Sequence, residues 1–191
     1  MKIQVGVMGS AGGRIAKAAR RKAYLLGEAI AEHDCVLVTG ACPGLPYDAV
    51  QGCKQAGGMT VGISPALDLY EHTTRYQSPH EGFDVLIYTG DGLMGREVTG
   101  IRSCDVVVLI GGRSGTLGEF AIAYDEGKVI GVLKGTGGVA DDVDDIVRIV
   151  SKQTGAKLIS DADPKRLLKR LLRAHRARRG RPVRRVTAAA G

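Results

Sequence analysis

The stretch Asp105–Glu119, Asp-Val-Val-Val-Leu-Ile-Gly-Gly-Arg-Ser-Gly-Thr-Leu-Gly-Glu, constrains the fold more tightly than any other part of the chain. Five apolar β-formers run straight into Gly111-Gly112-Arg113-Ser114-Gly115-Thr116, and a helix-compatible stretch follows with Glu119 in its first turn. An unalternated apolar run of this length is the pattern of a strand buried on both faces. A strand that ends in a glycine turn and re-enters as a helix aims unpaired backbone N–H groups at one point. The helix dipole adds partial positive charge there. Such a turn suits a phosphate, and a carboxylate follows in the same helix.

The same grammar recurs along the chain. Apolar runs at Ile3–Met8, Cys35–Thr39, Met59–Ser64, Val85–Tyr88, Val106–Ile110, Val129–Leu133 and Lys157–Ile159 alternate with helical patterns. Those patterns are Ile15–Glu32, Pro46–Lys54, Met94–Ser103, Thr116–Asp125 and Asp141–Lys152. Strand–helix alternation at this spacing predicts an α/β, Rossmann-like doubly wound, mostly parallel sheet of about seven strands with right-handed crossovers. Residues 1–163 are expected to form this nucleotide-binding domain. Residues 164–191 are expected to form a basic C-terminal helix and, from Arg176 on, a disordered tail. Asp163-Pro164 reads as the start of that helix, and Leu167, Leu168, Leu171 and Leu172 form a stripe that packs on the domain. The stretch 65–82 lacks periodicity and reads as a lid, a binding loop or a solvated excursion.

Ligands of such sheets sit beyond the carboxyl ends of the strands. Four glycine clusters fall at those ends, at Gly9–Gly13, Gly40–Gly44, Gly90–Gly92 and Gly111–Gly115. The candidate phosphate- or nucleotide-binding residues are Gly9, Ser10, Gly40, Gly111, Gly112, Arg113, Ser114, Gly115 and Thr116. Neither Gly-x-Gly-x-x-Gly after the first strand nor a Gly-Lys-Ser/Thr loop occurs, which disfavours nicotinamide and nucleoside triphosphate chemistry. No cofactor is expected. Cys35, Cys42, Cys53 and Cys104 have no Cys-x-x-Cys spacing, so they read as free thiols, and no metal is expected.

The net charge of +7 belongs to one end of the chain. Residues 165–191 hold eleven Lys and Arg and no acid, which leaves sixteen basic against twenty acidic side chains in the remainder, a balance of −4. A basic nucleic-acid-binding body is therefore not supported, and only the tail could serve that role. No apolar run approaches the ~20 residues that span a bilayer, so no membrane partner is expected. Met1–Met8 reads as a first strand rather than a signal peptide, and a cytoplasmic location follows.

The order Arg96, Asp105, apolar strand, Gly111-Gly-Arg-Ser-Gly115-Thr116-Leu-Gly-Glu119 resembles the LOG family, once named as lysine decarboxylases. That family's motif is Pro-Gly-Gly-x-Gly-Thr-x-x-Glu, preceded by Arg-Lys on the helix before. Gly112, Gly115, Thr116 and Glu119 fall on motif positions, and Arg96 falls on the motif arginine. The segments 38–50 and 57–65 also resemble the family, so the similarity covers roughly residues 3–135. The resemblance implies hydrolysis of the N-glycosidic bond of a nucleoside 5′-monophosphate, with Arg96 and Glu119 as the catalytic pair. It also implies a homodimer or higher homo-oligomer, with the helices flanking the glycine loop as the natural interface. Chemically, a carboxylate can stabilise an oxocarbenium-like sugar or position a water, and an arginine can orient it or grip phosphate.

The chain departs from that motif at several positions. Gly111 replaces the motif proline, Arg113 its second glycine, and Glu97 the lysine after the arginine. This pattern is more similar to a sister branch that includes the algal molybdenum cofactor carrier, with DNA-processing protein A as a distant relative. The alternative to hydrolysis is therefore a non-catalytic carrier or sensor of a phosphorylated ligand such as molybdenum cofactor.

Overall fold

All seven apolar runs become strands of one sheet in the computed structural model, which describes residues 1–179. They are β1 (Gln4–Gly9), β2 (Val36–Thr39), β3 (Met59–Ser64), β4 (Val85–Tyr88), β5 (Val106–Ile110), β6 (Val129–Leu133) and β7 (Lys157–Asp161). Every pairing is parallel, in the order β4-β3-β2-β1-β5-β6-β7. The strand order reverses between β1 and β5, where Gly9 pairs with Ile110. That reversal is the position at which a doubly wound sheet opens a crevice for a ligand.

The helices are α1 (Lys17–Glu32), α2 (Leu45–Gln55), α3 (Leu69–Thr74), α4 (Gly92–Arg102), α5 (Ser114–Asp125), α6 (Gly138–Val150) and α7 (Pro164–Arg179). Strand residues alternate between two cores. On β5, Val106, Val108 and Ile110 pack with the residues of α1, α2 and α7, while Val107 and Leu109 pack with those of α4, α5 and α6. All five are fully buried, which explains why the run reads as continuously apolar.

Two glycines set the closeness of α1 and α2, a feature that hydrophobic periodicity does not display. A Cβ on Gly27 would lie 1.9 Å from the Ala49 carbonyl oxygen, and one on Gly52 would lie 2.0 Å from that of Tyr24. The two helices thus meet backbone to backbone.

The segment 65–82 contains the short helix α3, capped by Asp68, whose carboxylate accepts from the Glu71 N–H at 2.8 Å. His72 is fully buried. Its ring lies 2.9 Å from the Ser64 hydroxyl and 3.0 Å from the Pro79 carbonyl. These bonds pin the segment to the end of β3.

The leucine stripe of α7 is buried on the body, and the Asp163 carboxylate caps the helix by accepting from the Arg166 N–H at 2.7 Å. The helix continues through Arg179, so the expected disorder from Arg176 on is corrected. Residues 180–191 of the expected tail lie outside the described residues. Much of the positive charge of α7 is engaged by the body. Arg166 and Arg170 both donate to the buried Asp161 carboxylate, which is held well below the usual carboxylate range chiefly by the Arg166 hydrogen bonds. Lys165 pairs with Glu32 at 2.9 Å, and Arg178 donates to the Gly127 and Gly155 carbonyls. Among the described residues no helix is long and apolar enough to cross a membrane.

Replacing Gly27 with Ala forces α1 and α2 apart. The expected loss is about 1–3 kcal/mol of folding stability by urea denaturation, although Ala is the better helix former by about 1 kcal/mol. An unchanged or raised midpoint would show that the crossing is not close.

Candidate functional site

Four loops are stitched together at the carboxyl rim of the sheet, and Ser10 is the knot. Its N–H donates to the Ile110 carbonyl at 3.2 Å, and its carbonyl accepts from the Leu45 N–H at 2.9 Å. Its hydroxyl accepts from the Gly112 N–H at 2.7 Å. The β6–α6 connection joins the same knot. Thr136 Oγ1 accepts from the Gly111 N–H at 2.8 Å, and the Val139 and Ala140 N–H groups donate to the Gly112 and Gly111 carbonyls. The first amides of α6 are thereby engaged by the glycine turn. Gly111 and Gly112 both have positive φ, 63° and 109°, which the turn requires.

The sequence pattern pointed to Gly111 and Gly112 as direct phosphate donors, but their N–H groups already have these internal acceptors. The donors that remain lie just beyond. The helix α5 begins at Ser114, two residues earlier than expected, so Glu119 sits in its second turn rather than its first. The N–H groups of Ser114, Gly115 and Thr116 have no acceptor among the described residues, and no side chain caps this helix. They open into a cleft of about 470 Å³ lined by Gly9, Ser10, Gly40, Arg113, Ser114, Gly115 and Thr116 together with Arg96 and Glu119. The volume falls in the usual range for a small-molecule site. Gly111 and Gly112 are buried beneath it. Arg113 is exposed at the mouth, and its guanidinium lies alongside Gly12 and Gly13 of the β1–α1 loop.

Arg96 reaches from α4 across the ends of β2 and β3. Its Nη1 donates to the Ile63 carbonyl at 3.3 Å and lies 1.4 Å from where a Cβ on Gly40 would stand. Gly40 is thus the seat of the guanidinium, and any side chain there would displace it. Arg96 is only 7% exposed, and its Nε has no hydrogen-bond partner among the described residues. Glu119 is also 7% exposed; burial raises its carboxyl to about 7, with Arg96 pulling it down and Glu97 pushing it up.

Glu97 and Cys42 also line the cleft, and sequence reasoning did not nominate either of them. Glu97 is 5% exposed, and burial raises its carboxyl against the pull of Arg96. Cys42 follows Ala41, a non-glycine residue at φ 52° in the β2–α2 loop, and desolvation raises its thiol. All four cysteines are free. A signal for Glu97 was present, since a carboxylate replaces the resemblance's lysine beside Arg96. The signal for Cys42 was its place inside the Gly40–Gly44 cluster at the strand ends, where Cys35, Cys53 and Cys104 do not fall.

The SLOG cluster4 family profile matches residues 2–168. The chain belongs to this family. A protein of Archaeoglobus fulgidus is 34% identical over 132 residues, which span 69% of this chain and 80% of that protein. The molybdenum cofactor binding protein of the phototrophic bacterium Rippkaea orientalis is similar at 28% identity and TM-score 0.73, over 91% of this chain and 97% of that one. The molybdenum cofactor carrier protein of Chlamydomonas reinhardtii is similar at 27% identity and TM-score 0.73, over 92% and 99%. The SLOG assignment and these neighbours agree with the α/β fold and with the sister branch suggested by the motif departures.

The raised carboxyl has a consequence for stability. Glu119 binds its proton more tightly in the folded chain than at its ordinary value of 4.5. Folding therefore takes up a proton between about pH 4.5 and 7, and stability falls as pH rises through that window, by about 3 kcal/mol in all. Glu119→Gln is expected to flatten this decline and to be the more stable form at pH 8, as read by urea midpoints at pH 5 and 8. Parallel pH profiles for the two proteins would refute the assignment.

Proposed function

We propose that the cleft binds a phosphorylated small molecule and holds it as a carrier or sensor does. Three unpaired amides at the start of α5, aligned with the helix dipole, support a phosphate at that point. Arg113 at the mouth and the unpartnered Arg96 Nε add positive charge and a donor. The likeness to a molybdenum cofactor binding protein and a molybdenum cofactor carrier supports carriage over turnover, and molybdenum cofactor is one candidate ligand.

The second reading is LOG-like hydrolysis of the N-glycosidic bond of a nucleoside 5′-monophosphate. One observation favours it: Glu119, raised to about 7, stands beside Arg96 in the same cleft. A carboxylate that is partly ionised at neutral pH can position a water or stabilise an oxocarbenium-like sugar.

One experiment separates the two readings. The full chain is titrated with inorganic phosphate, AMP and a panel of purine and pyrimidine monophosphates, and the recovered ligand is weighed by mass spectrometry. Carriage predicts saturable binding with the ligand unchanged. Hydrolysis predicts free base and ribose 5-phosphate, abolished by Glu119→Gln with affinity held within a few fold. Absence of binding by phosphate and by every monophosphate would overturn the phosphate site itself.

The same reading includes self-association. Leu93, Met94 and Val98 of α4 and Leu117 of α5 are exposed beside the cleft, at 57%, 63%, 37% and 42%. Apolar side chains grouped on the helices that flank the site support an interface there. The paired change Val98→Asp with Leu117→Asp is expected to yield monomer by light scattering where the parent chain is a dimer or larger. A parent chain that is itself monomeric would sink this proposal.

A further inference from the structure

Burial normally leaves a carboxylate with hydrogen-bond donors around it. Glu97 has no such donor among the described residues: the residue is only 5% exposed and lines the cleft, so its carboxylate is left to whatever fills that cleft. Glu119 lines the same cleft, and the buried Arg96 Nε has no acceptor among the described residues. The floor of the cleft thus presents two carboxyls, of which Glu119 is partly protonated near neutral pH, and one donor with nothing to bind. Its complement is a ligand portion that brings O–H or N–H donors and at least one acceptor.

The place of Glu97 narrows that portion. Its Oε1 lies 3.3 Å from where a Cβ on Gly115 would stand, and its Oε2 lies 2.7 Å from the corresponding point on Gly118. The carboxylate is therefore wedged against the first turns of α5, close to the free amides of Ser114, Gly115 and Thr116. Whatever it binds must be only a few bonds from the phosphate those amides would hold. The group must also not be an anion, because a second anion beside Glu97 and Glu119 would meet like charge in a partly desolvated site. A pair of sugar hydroxyls meets all three conditions, and carboxylates in doubly wound sheets commonly accept from ribose hydroxyls.

We infer that Glu97 is a specificity residue that accepts hydrogen bonds from the vicinal hydroxyls of a ribose 5-phosphate unit, so that the cleft selects ribosyl over deoxyribosyl ligands. The inference rests on the reading of the α5 amides as a phosphate site. It also accounts for a glutamate at the position where the resembled family has lysine: lysine would reinforce the grip on phosphate, and glutamate instead reads the sugar beside it.

The test is calorimetric titration of the full chain with AMP, 2′-deoxy-AMP, 3′-deoxy-AMP and inorganic phosphate. Loss of either hydroxyl should weaken binding about tenfold or more, as expected when a charged acceptor is left unpaired. Glu97→Ala should bring the three nucleotides within about twofold of one another, and Glu97→Gln should give an intermediate preference. Phosphate affinity should be unchanged or higher in both variants. Equal affinities for the three nucleotides in the parent chain would overturn the inference, as would a hydroxyl preference that survives Glu97→Ala. If Glu97→Ala does not fold, the parent comparison and Glu97→Gln decide. Binding of phosphate without AMP removes this inference alone, whereas binding of neither removes the phosphate site and this inference together.

Discussion

One serine holds the working edge of this protein in shape. Ser10 donates one backbone hydrogen bond and accepts two more, one at its carbonyl and one at its hydroxyl, and so ties the β1–α1 loop to the end of β5 with its glycine turn and to the start of α2. The consequence is chemical as well as mechanical. A glycine turn at the end of a buried strand brings more backbone donors than its own helix can use, and buried donors must find acceptors. Ser10 and Thr136 take the first two, and the turn's carbonyls are in turn occupied by the start of α6. The amides at the start of α5, of Ser114, Gly115 and Thr116, are left without internal acceptors. The proposed anion site is therefore shifted along the turn, from Gly111 and Gly112 to Ser114 through Thr116.

The second constraint is the charge balance of the cleft floor. One guanidinium stands among two carboxylates, and all three side chains are nearly removed from water. Such an arrangement costs stability, because burial disfavours each ionised carboxyl and a single arginine cannot satisfy both. Burial and Glu97 raise the Glu119 carboxyl, while Arg96 opposes the rise. A fold that only needed to pack α4 on α5 would be better served by apolar side chains of similar size. The retained charges are what a binding site looks like when its groups are arranged for a molecule other than the protein itself.

How much of this was legible in the chain follows from the range of each interaction. Strands β3 to β6 were readable to the residue, β5 and β6 most directly because strands buried on both faces leave unbroken apolar runs. The glycine turn and Glu119 were readable because spacing along one strand–turn–helix unit carries their placement, whereas Arg96, on the preceding helix α4, came only from the resemblance to the LOG motif. The division of labour within the turn was not, since Ser10 and Thr136 lie 102 and 25 residues from the amides they satisfy. Nor was the backbone contact of α1 with α2, because Gly27 and Gly52 look like weak helix residues until Ala49 and Tyr24 are placed against them. The helix α3 was hidden because its stability comes from the Asp68 cap and the buried His72 rather than from an apolar stripe. Glu97 was visible as a departure from a motif, but its burial and its lack of donors exist only in three dimensions.

The same cleft could serve carriage or turnover, and the difference lies in what Glu119 meets rather than where it stands. Attack by water at a sugar carbon needs a carboxylate that is ionised when the substrate is bound and is aligned with a water on one face of the ring. A phosphate dianion arriving at α5 adds negative potential near Glu119 and Glu97, and so pushes both carboxyls further toward their protonated forms. Ligand binding thus works against the ionised base that hydrolysis requires, unless Arg96 or Arg113 neutralises the phosphate first. For a carrier the same coupling is an advantage. A protonated Glu119 can donate as well as accept, the ligand is gripped more firmly as protons are taken up, and the bond to its base or ring system is left without an activated water.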